Sequence, residues 1–200
     1  MLALTTELKF NLQNYFGSLS MSTSSTYTRT AIILHWLLAL GVLTQFSLGW
    51  WMRTLPDKTG AQAYWFNLHK SIGLTVFMLL VVVLIWRIRN PPPPLPDFMP
   101  AWQRWSAKAC HYGLFLCLLI MPISGYMGSS FTRFPIRYFG MVLPNFWGWE
   151  SVELKALSSL VHFCTVLVFM SLVAVHIAAA IMHLALKRDQ VFRRMWSWRP

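Results

Sequence analysis

Four apolar runs constrain this 200-residue chain more than any other feature: residues 31–52, 68–86, 110–131 and 160–186. Each is long enough, at about 1.5 Å of rise per residue, to cross about 30 Å of hydrocarbon. Lipid offers no hydrogen bonds to the backbone, so each run must be helical. With only 12% of residues charged and 56% hydrophobic, nothing is left over for a large soluble domain. The fold class expected is an all-α membrane protein, a four-transmembrane-helix bundle. Pro122 falls inside the third run and is placed to kink it.

A net charge of +11 could suggest nucleic acid, but the basic residues sit at the ends of the apolar runs and form no compact basic domain. They read as topology signals, and no nucleic-acid partner is expected. One side holds Lys9, Arg29, Arg87, Arg89, Arg104, Lys108, Lys187, Arg188, Arg193, Arg194 and Arg199. The other holds Arg53, Lys58, Lys70, Arg133, Arg137 and Lys155. The excess places both termini and the Pro91–Pro94 loop in the cytoplasm. Trp50, Trp51, Trp65, Trp147 and Trp149 suit an outer interfacial belt, and Trp102, Trp105, Trp196 and Trp198 an inner one.

Residues 1–30 are polar and read as an N-terminal extension without a signal peptide, with Met21 a plausible second start. Residues 187–200 read as a basic cytoplasmic tail. The proline run is expected to end the second helix as a stiff, extended connector. The aromatic segment between the third and fourth runs is expected to lie on the membrane surface. Cys110, Cys117 and Cys164 read as small packing residues. No internal repeat is evident.

Imidazole is costly in lipid, yet the fourth run carries His162, His176 and His183. His162 and His176 are fourteen residues apart, within about 40° of one face and about 21 Å apart along the axis. No single ion could be shared at that distance, whereas two haems, one near each surface, could be. A bis-histidine b-type haem takes its two axial ligands from facing helices of a bundle. By depth, His69 pairs with His162 at the outer side and His35 with His176 at the inner side, with His111 the only rival inner ligand. A haem-free metal transporter is the competing reading, and it suffers from the absence of Asp and Glu within the four runs.

The motifs "AIILHWLLA", "LHKSIGL", "RNPPPPLP", "CHYGLFLCLLIMPISGY" and the His-x13-His of the fourth run, in that order, resemble the bacterial cytochrome b561 family. The resemblance runs from about Tyr27 to the C-terminus. It implies a four-helix inner-membrane cytochrome with two b haems whose axial ligands fall on His35, His69, His162 and His176, with His111 not a ligand. It also implies a candidate activity, since a characterised member oxidises superoxide at the periplasmic face and reduces ubiquinone. Related cytochrome b subunits instead anchor hydrogenases and formate dehydrogenases and relay electrons to quinone. On the first reading, Arg133, Arg137 and Lys155 would steer the anion, with Lys70 beside His69. His183, about 10 Å beyond His176, would sit at the quinone. Lys187, Arg188 and Arg104 are weaker candidates there. The partners expected are membrane lipid, quinone, and superoxide or a redox protein.

Overall fold

The computed structural model describes residues 26–96, 98–145 and 149–196. The N-terminal extension through residue 25, with Lys9 and Met21, lies outside them, as do Trp147, Trp198 and Arg199. Four long helices carry the four apolar runs: α1 (Arg29–Trp51), α2 (Gly60–Arg89), α3 (Ala101–Ser130) and α4 (Val152–Ile181). A π-helical turn (Met182–Leu186) extends α4, and a short α5 (Gln190–Arg193) follows. All four long helices are apolar enough to cross a membrane.

Helices α2, α3 and α4 begin about two turns before their apolar runs, and α1 two residues before its own, because capping residues rather than hydropathy set the starts. The hydroxyls of Thr28, Thr59 and Ser151 accept from the backbone N–H of Ala31, Gln62 and Leu154, each at 3.2 Å. Pro100 occupies the same position on α3, where its missing N–H costs nothing. Asn90 ends α2 immediately before the proline run.

The chain runs up and down. The α1–α2 and α3–α4 connections share one end of the bundle, the hairpin end; the proline loop and the C-terminal segment share the other, the proline end. The segment between α3 and α4 is not a simple surface loop. It holds an antiparallel pair, β1 (Arg137–Tyr138) and β2 (Met141–Val142), closed by Phe139 and Gly140, both at positive φ (46° and 94°). That conformation matches the strand twist of a two-residue hairpin. The hairpin docks on α2: the Phe139 N–H donates to Ser71 Oγ at 3.0 Å, and Tyr138 Oη meets Thr75 Oγ1 at 3.2 Å.

Helix α1 packs along α2, α3 along α4, and α2 touches α3. Among the described residues, neither α1 nor α2 brings its backbone close to α4. Gly41 against Val76 and Gly113 against Leu172 let the paired helices close up; an added Cβ would come within 2.8 and 2.9 Å of those side chains. Midway along the bundle, Leu38, Leu80, Cys117, Leu118 and Phe169 form a buried core, and Phe46 stacks on Phe169 with ring centroids 5.8 Å apart.

The C-terminal segment folds back under the proline end instead of trailing from it. Trp36 Nε1 donates to the Met195 carbonyl at 3.0 Å, Arg194 Nη1 to the Pro94 carbonyl at 3.0 Å, and Lys187 Nζ to Gln103 Oε1 at 2.9 Å. Trp196 lies edge-on to Trp36 and stacks on Phe192.

Candidate functional site

Six histidines occur, and the fold sorts them by end. At the hairpin end, His69 of α2 faces His162 of α4 closely enough for the two rings to interact electrostatically. Each is seated on a glycine of the helix it packs along. A Cβ at Gly49 of α1 would touch the His69 ring at 3.5 Å, and one at Gly125 of α3 would touch His162 Nδ1 at 3.4 Å. His162 Nδ1 donates to the Met121 carbonyl at 2.9 Å and meets Ser124 Oγ at 3.3 Å. Ser124 Oγ also lies within donating distance of the Met121 carbonyl, at 3.0 Å. With the proton on Nδ1, Nε2 carries the lone pair, which is the tautomer a metal-ligating imidazole takes.

The His69 seat is similar but less complete. Its ring faces the Gln45 backbone, yet Nδ1 is buried without a full hydrogen bond. Gln45 Nε2 donates to the His69 carbonyl at 3.0 Å, while Gln45 Oε1 is buried and unpartnered. Gly73 makes room for that amide, since a Cβ there would come within 2.5 Å of Gln45 Nε2. A buried polar atom without a partner costs about 1–3 kcal/mol.

At the proline end, His35 of α1 and His176 of α4 approach with ring centroids 6.2 Å apart, tilted by 58°. His111 of α3 also meets His176, edge-on at 5.3 Å, and its Nδ1 donates to the Ala107 carbonyl at 2.7 Å. Beyond them, His183 is buried in the π-helical turn, and its Nδ1 lies 2.6 Å from Asp189 Oδ2. A π-turn is a frequent mark of a functional position. The other Asp189 oxygen accepts from the Val191 N–H at 3.0 Å.

Among the described residues, no three His, Cys, Asp or Glu side chains converge as an ion-binding cluster. The histidines come in opposed pairs instead, between helices whose backbones stay apart. That donor set suits a plate-like group with two axial positions, and the unpartnered His69 Nδ1 and the glycine seats fit it.

The cations proposed for steering all sit at the hairpin end. Arg133 is paired with Glu150 at 3.4 Å, with both side chains largely exposed. Arg137 is exposed, its Nη1 donating to the Gly140 carbonyl at 3.4 Å, and Lys155 is exposed on the first turn of α4. Lys70 is half-buried next to His69. At the proline end, Lys187 bonds Gln103, Arg188 sits at positive φ (50°), and Arg104 is half-buried.

The contacts also reveal a register shared by two helices. His35, Gln45 and Gly49 on α1 stand at the same spacings as His111, Met121 and Gly125 on α3. In each helix the glycine seats the hairpin-end histidine of its packing partner. Two helices share this pattern in only a few side chains, so it is invisible until their contacts are known. Gln45, Gly49, Trp36 and Asp189 were missed for a related reason: none has a type or spacing that sets it apart in sequence.

A family model described as prokaryotic cytochrome b561 matches residues 26–198. The chain is 41% identical over 128 residues to Cytochrome b561 homolog 2 of Escherichia coli K12, across 60% of this chain and 65% of that protein. It is 27% identical over 178 residues to Cytochrome b561 homolog 1 of the same organism, across 84% and 96%. It is 24% identical over 176 residues to a Yersinia pestis protein named Probable superoxide oxidase CybB, across 84% and 94%.

Proposed function

The chain belongs to the prokaryotic cytochrome b561 family, whose members carry b-type haem and transfer electrons in membranes, and from that premise we propose that it oxidises superoxide at its hairpin end and reduces ubiquinone at its proline end. One observation carries this reading: α4 presents a histidine toward each end, and each faces a histidine of a helix whose backbone does not touch α4. His69 and His162 would hold one haem, and His35 and His176 the other. Bound haem supplies reversible one-electron chemistry.

Superoxide gives up one electron and leaves as dioxygen. Two such events, with two protons, convert quinone to quinol. Lys70, Arg137 and Lys155 draw the anion toward the His69/His162 end, while Glu150 offsets much of the charge of Arg133. The Gly49 and Gly125 seats fix the imidazole planes, and the Met121 carbonyl keeps the His162 proton on Nδ1. At the other end, Asp189 holds a proton on His183 Nδ1, so that a proton on Nε2 can pass to a quinone oxygen. The Lys and Arg asymmetry supports a periplasmic hairpin end in the bacterial inner membrane, with both termini cytoplasmic.

The structure also favours a second reading. Phe134, Phe139, Met141, Val142 and Trp149 are all exposed at the hairpin end. An apolar rim of that kind suits docking of a donor protein, and the chain would then relay electrons between a dehydrogenase or hydrogenase and the quinone pool.

Anaerobic stopped-flow mixing of superoxide with the purified protein and a ubiquinone analogue separates the two. Haem reduction followed by quinol formation, both lost in His69→Ala, supports the oxidase. Haems that reduce no faster than those of the variant would exclude it and leave the relay.

A further inference from the structure

The two hairpin-end histidines occupy matching seats that are completed differently. Each turns Cε1 and Nδ1 of its ring toward the glycine behind it, Gly49 for His69 and Gly125 for His162. Nδ1 of His162 is well served, by the Met121 carbonyl at 2.9 Å and Ser124 Oγ at 3.3 Å. The register shared by α1 and α3 puts Gln45 where α3 has Met121, and Leu48 where it has Ser124. Leucine supplies no hydroxyl, and His69 Nδ1 stays buried without a full hydrogen bond. Gln45 adds what methionine lacks, an amide. Its Nε2 donates to the His69 carbonyl at 3.0 Å, in the space that Gly73 leaves, and its Oε1 is buried with no partner. Among the described residues, Gln45 Oε1 and His69 Nδ1 are the only buried side-chain nitrogen or oxygen atoms left unpaired. They belong to two residues already joined by a hydrogen bond, and their chemistry is complementary. Oε1 can only accept. Nδ1 carries a proton, and can only donate, once Nε2 of the ring gives its lone pair to a metal. One bond between them removes the penalty of leaving both buried and unmet.

We propose that Gln45 is the positioning residue of His69: its Nε2 holds the His69 backbone, and its Oε1 takes the Nδ1 proton when Nε2 of the ring is bound to iron. The inference rests on the two-haem reading above. No covalent bond changes, and nothing is oxidised or reduced. The terminal torsions of both side chains are broad, so the contact closes with little strain. The bond makes the imidazole a stronger electron donor, which favours ferric over ferrous iron and lowers the midpoint potential at the hairpin end.

The test compares the full-length protein with Gln45→Met, Gln45→Glu and His69→Ala. Optical redox titration gives the two midpoint potentials, and the histidine ring modes in redox-difference infrared spectra report the hydrogen bond at Nδ1. Pyridine haemochrome gives haem per chain, and His69→Ala identifies the hairpin-end haem by its loss. Gln45→Met keeps the volume and removes both hydrogen bonds. It is expected to raise the hairpin-end potential, shift the ring mode and speed haem loss from that end about 10-fold, with the proline-end potential unchanged. Gln45→Glu keeps an acceptor and is expected to hold the hairpin-end potential at or below the wild-type value. Packing damage alone would move both variants in one direction. The proline-end haem signal in the same samples reports that each variant has folded. The proposal is overturned if Gln45→Met leaves the hairpin-end potential and ring mode as in the wild type, or if Gln45→Glu raises that potential as far as Gln45→Met does. Should Gln45→Met fail to retain that haem, Gln45→Glu decides alone, and a raised potential in it overturns the proposal. A wild type with a single haem, or a His69→Ala variant that loses none, would instead overturn the two-haem reading.

Discussion

The two ends of the bundle hold histidine pairs by different means. At the hairpin end, backbone does the holding: His69 and His162 rest on Gly49 and Gly125, and the Met121 carbonyl takes the His162 proton. At the proline end, side chains do it: His35 and His111 each meet His176, and the folded-back C-terminal segment bonds to Trp36, Pro94 and Gln103 nearby. A backbone seat has little freedom to re-form around a changed ring. A cluster of side chains under a short strap has more. The difference makes the hairpin end a fixed port and the proline end an adaptable one.

The largest effect that tests the contrast comes from the shared helix. His162→Ala is expected to remove the hairpin-end haem, leaving about one per chain, and to abolish reduction by superoxide while a small cationic reductant still reaches the proline end. His176→Ala is expected to do the reverse: superoxide still reduces the remaining haem, but quinol is not formed. Equal loss of both haems in each variant would show that the ends are not independent.

Next in size is the proton path peculiar to the proline end. Asp189→Asn removes the carboxylate that holds the His183 proton at 2.6 Å. Quinol formation is expected to slow by about 10²-fold with haem reduction by superoxide unchanged, as read in one double-mixing stopped-flow experiment.

A bulky side chain in a backbone seat should be felt only at the hairpin end. Gly125→Val crowds the His162 ring, where even a Cβ would stand 3.4 Å from Nδ1. Haem affinity at that end is expected to fall by about 10- to 100-fold, measured by transfer to apomyoglobin, with the proline-end haem unaffected. Gly49→Val should act on His69 in the same way.

The smallest effect concerns the exposed cations. The rate of haem reduction by superoxide should fall as salt is raised from low ionic strength, and Arg137→Gln should lower it a few-fold at low salt and hardly at all at high salt. A rate independent of salt would remove steering from the account. Arg133→Gln should matter less than Arg137→Gln, because Glu150 already offsets the Arg133 charge.

Much of this molecule was legible before folding. Length and hydropathy give four spans because lipid leaves a backbone no alternative to helix. The fourteen-residue spacing of His162 and His176 places them on one face at opposite depths, since helical rise and twist are fixed by backbone geometry. The helix starts were less legible, because Thr59, Pro100 and Ser151 act through cap geometry rather than apolarity. The hairpin on α2 was not legible at all, because it depends on Ser71 and Thr75 meeting a segment more than sixty residues away.

The sequence by itself therefore determined the number of apolar helices long enough to span and the end of the bundle at which each histidine lies, both of which follow from local periodicity and the solvent. Only the tertiary structure decided which glycine seats which ring, that α1 and α3 share a register, that Asp189 reaches His183, and that the chain's last described residues cover the proline end. Those are contacts between distant segments. Their distances are set by how helices pack, and no local pattern encodes them.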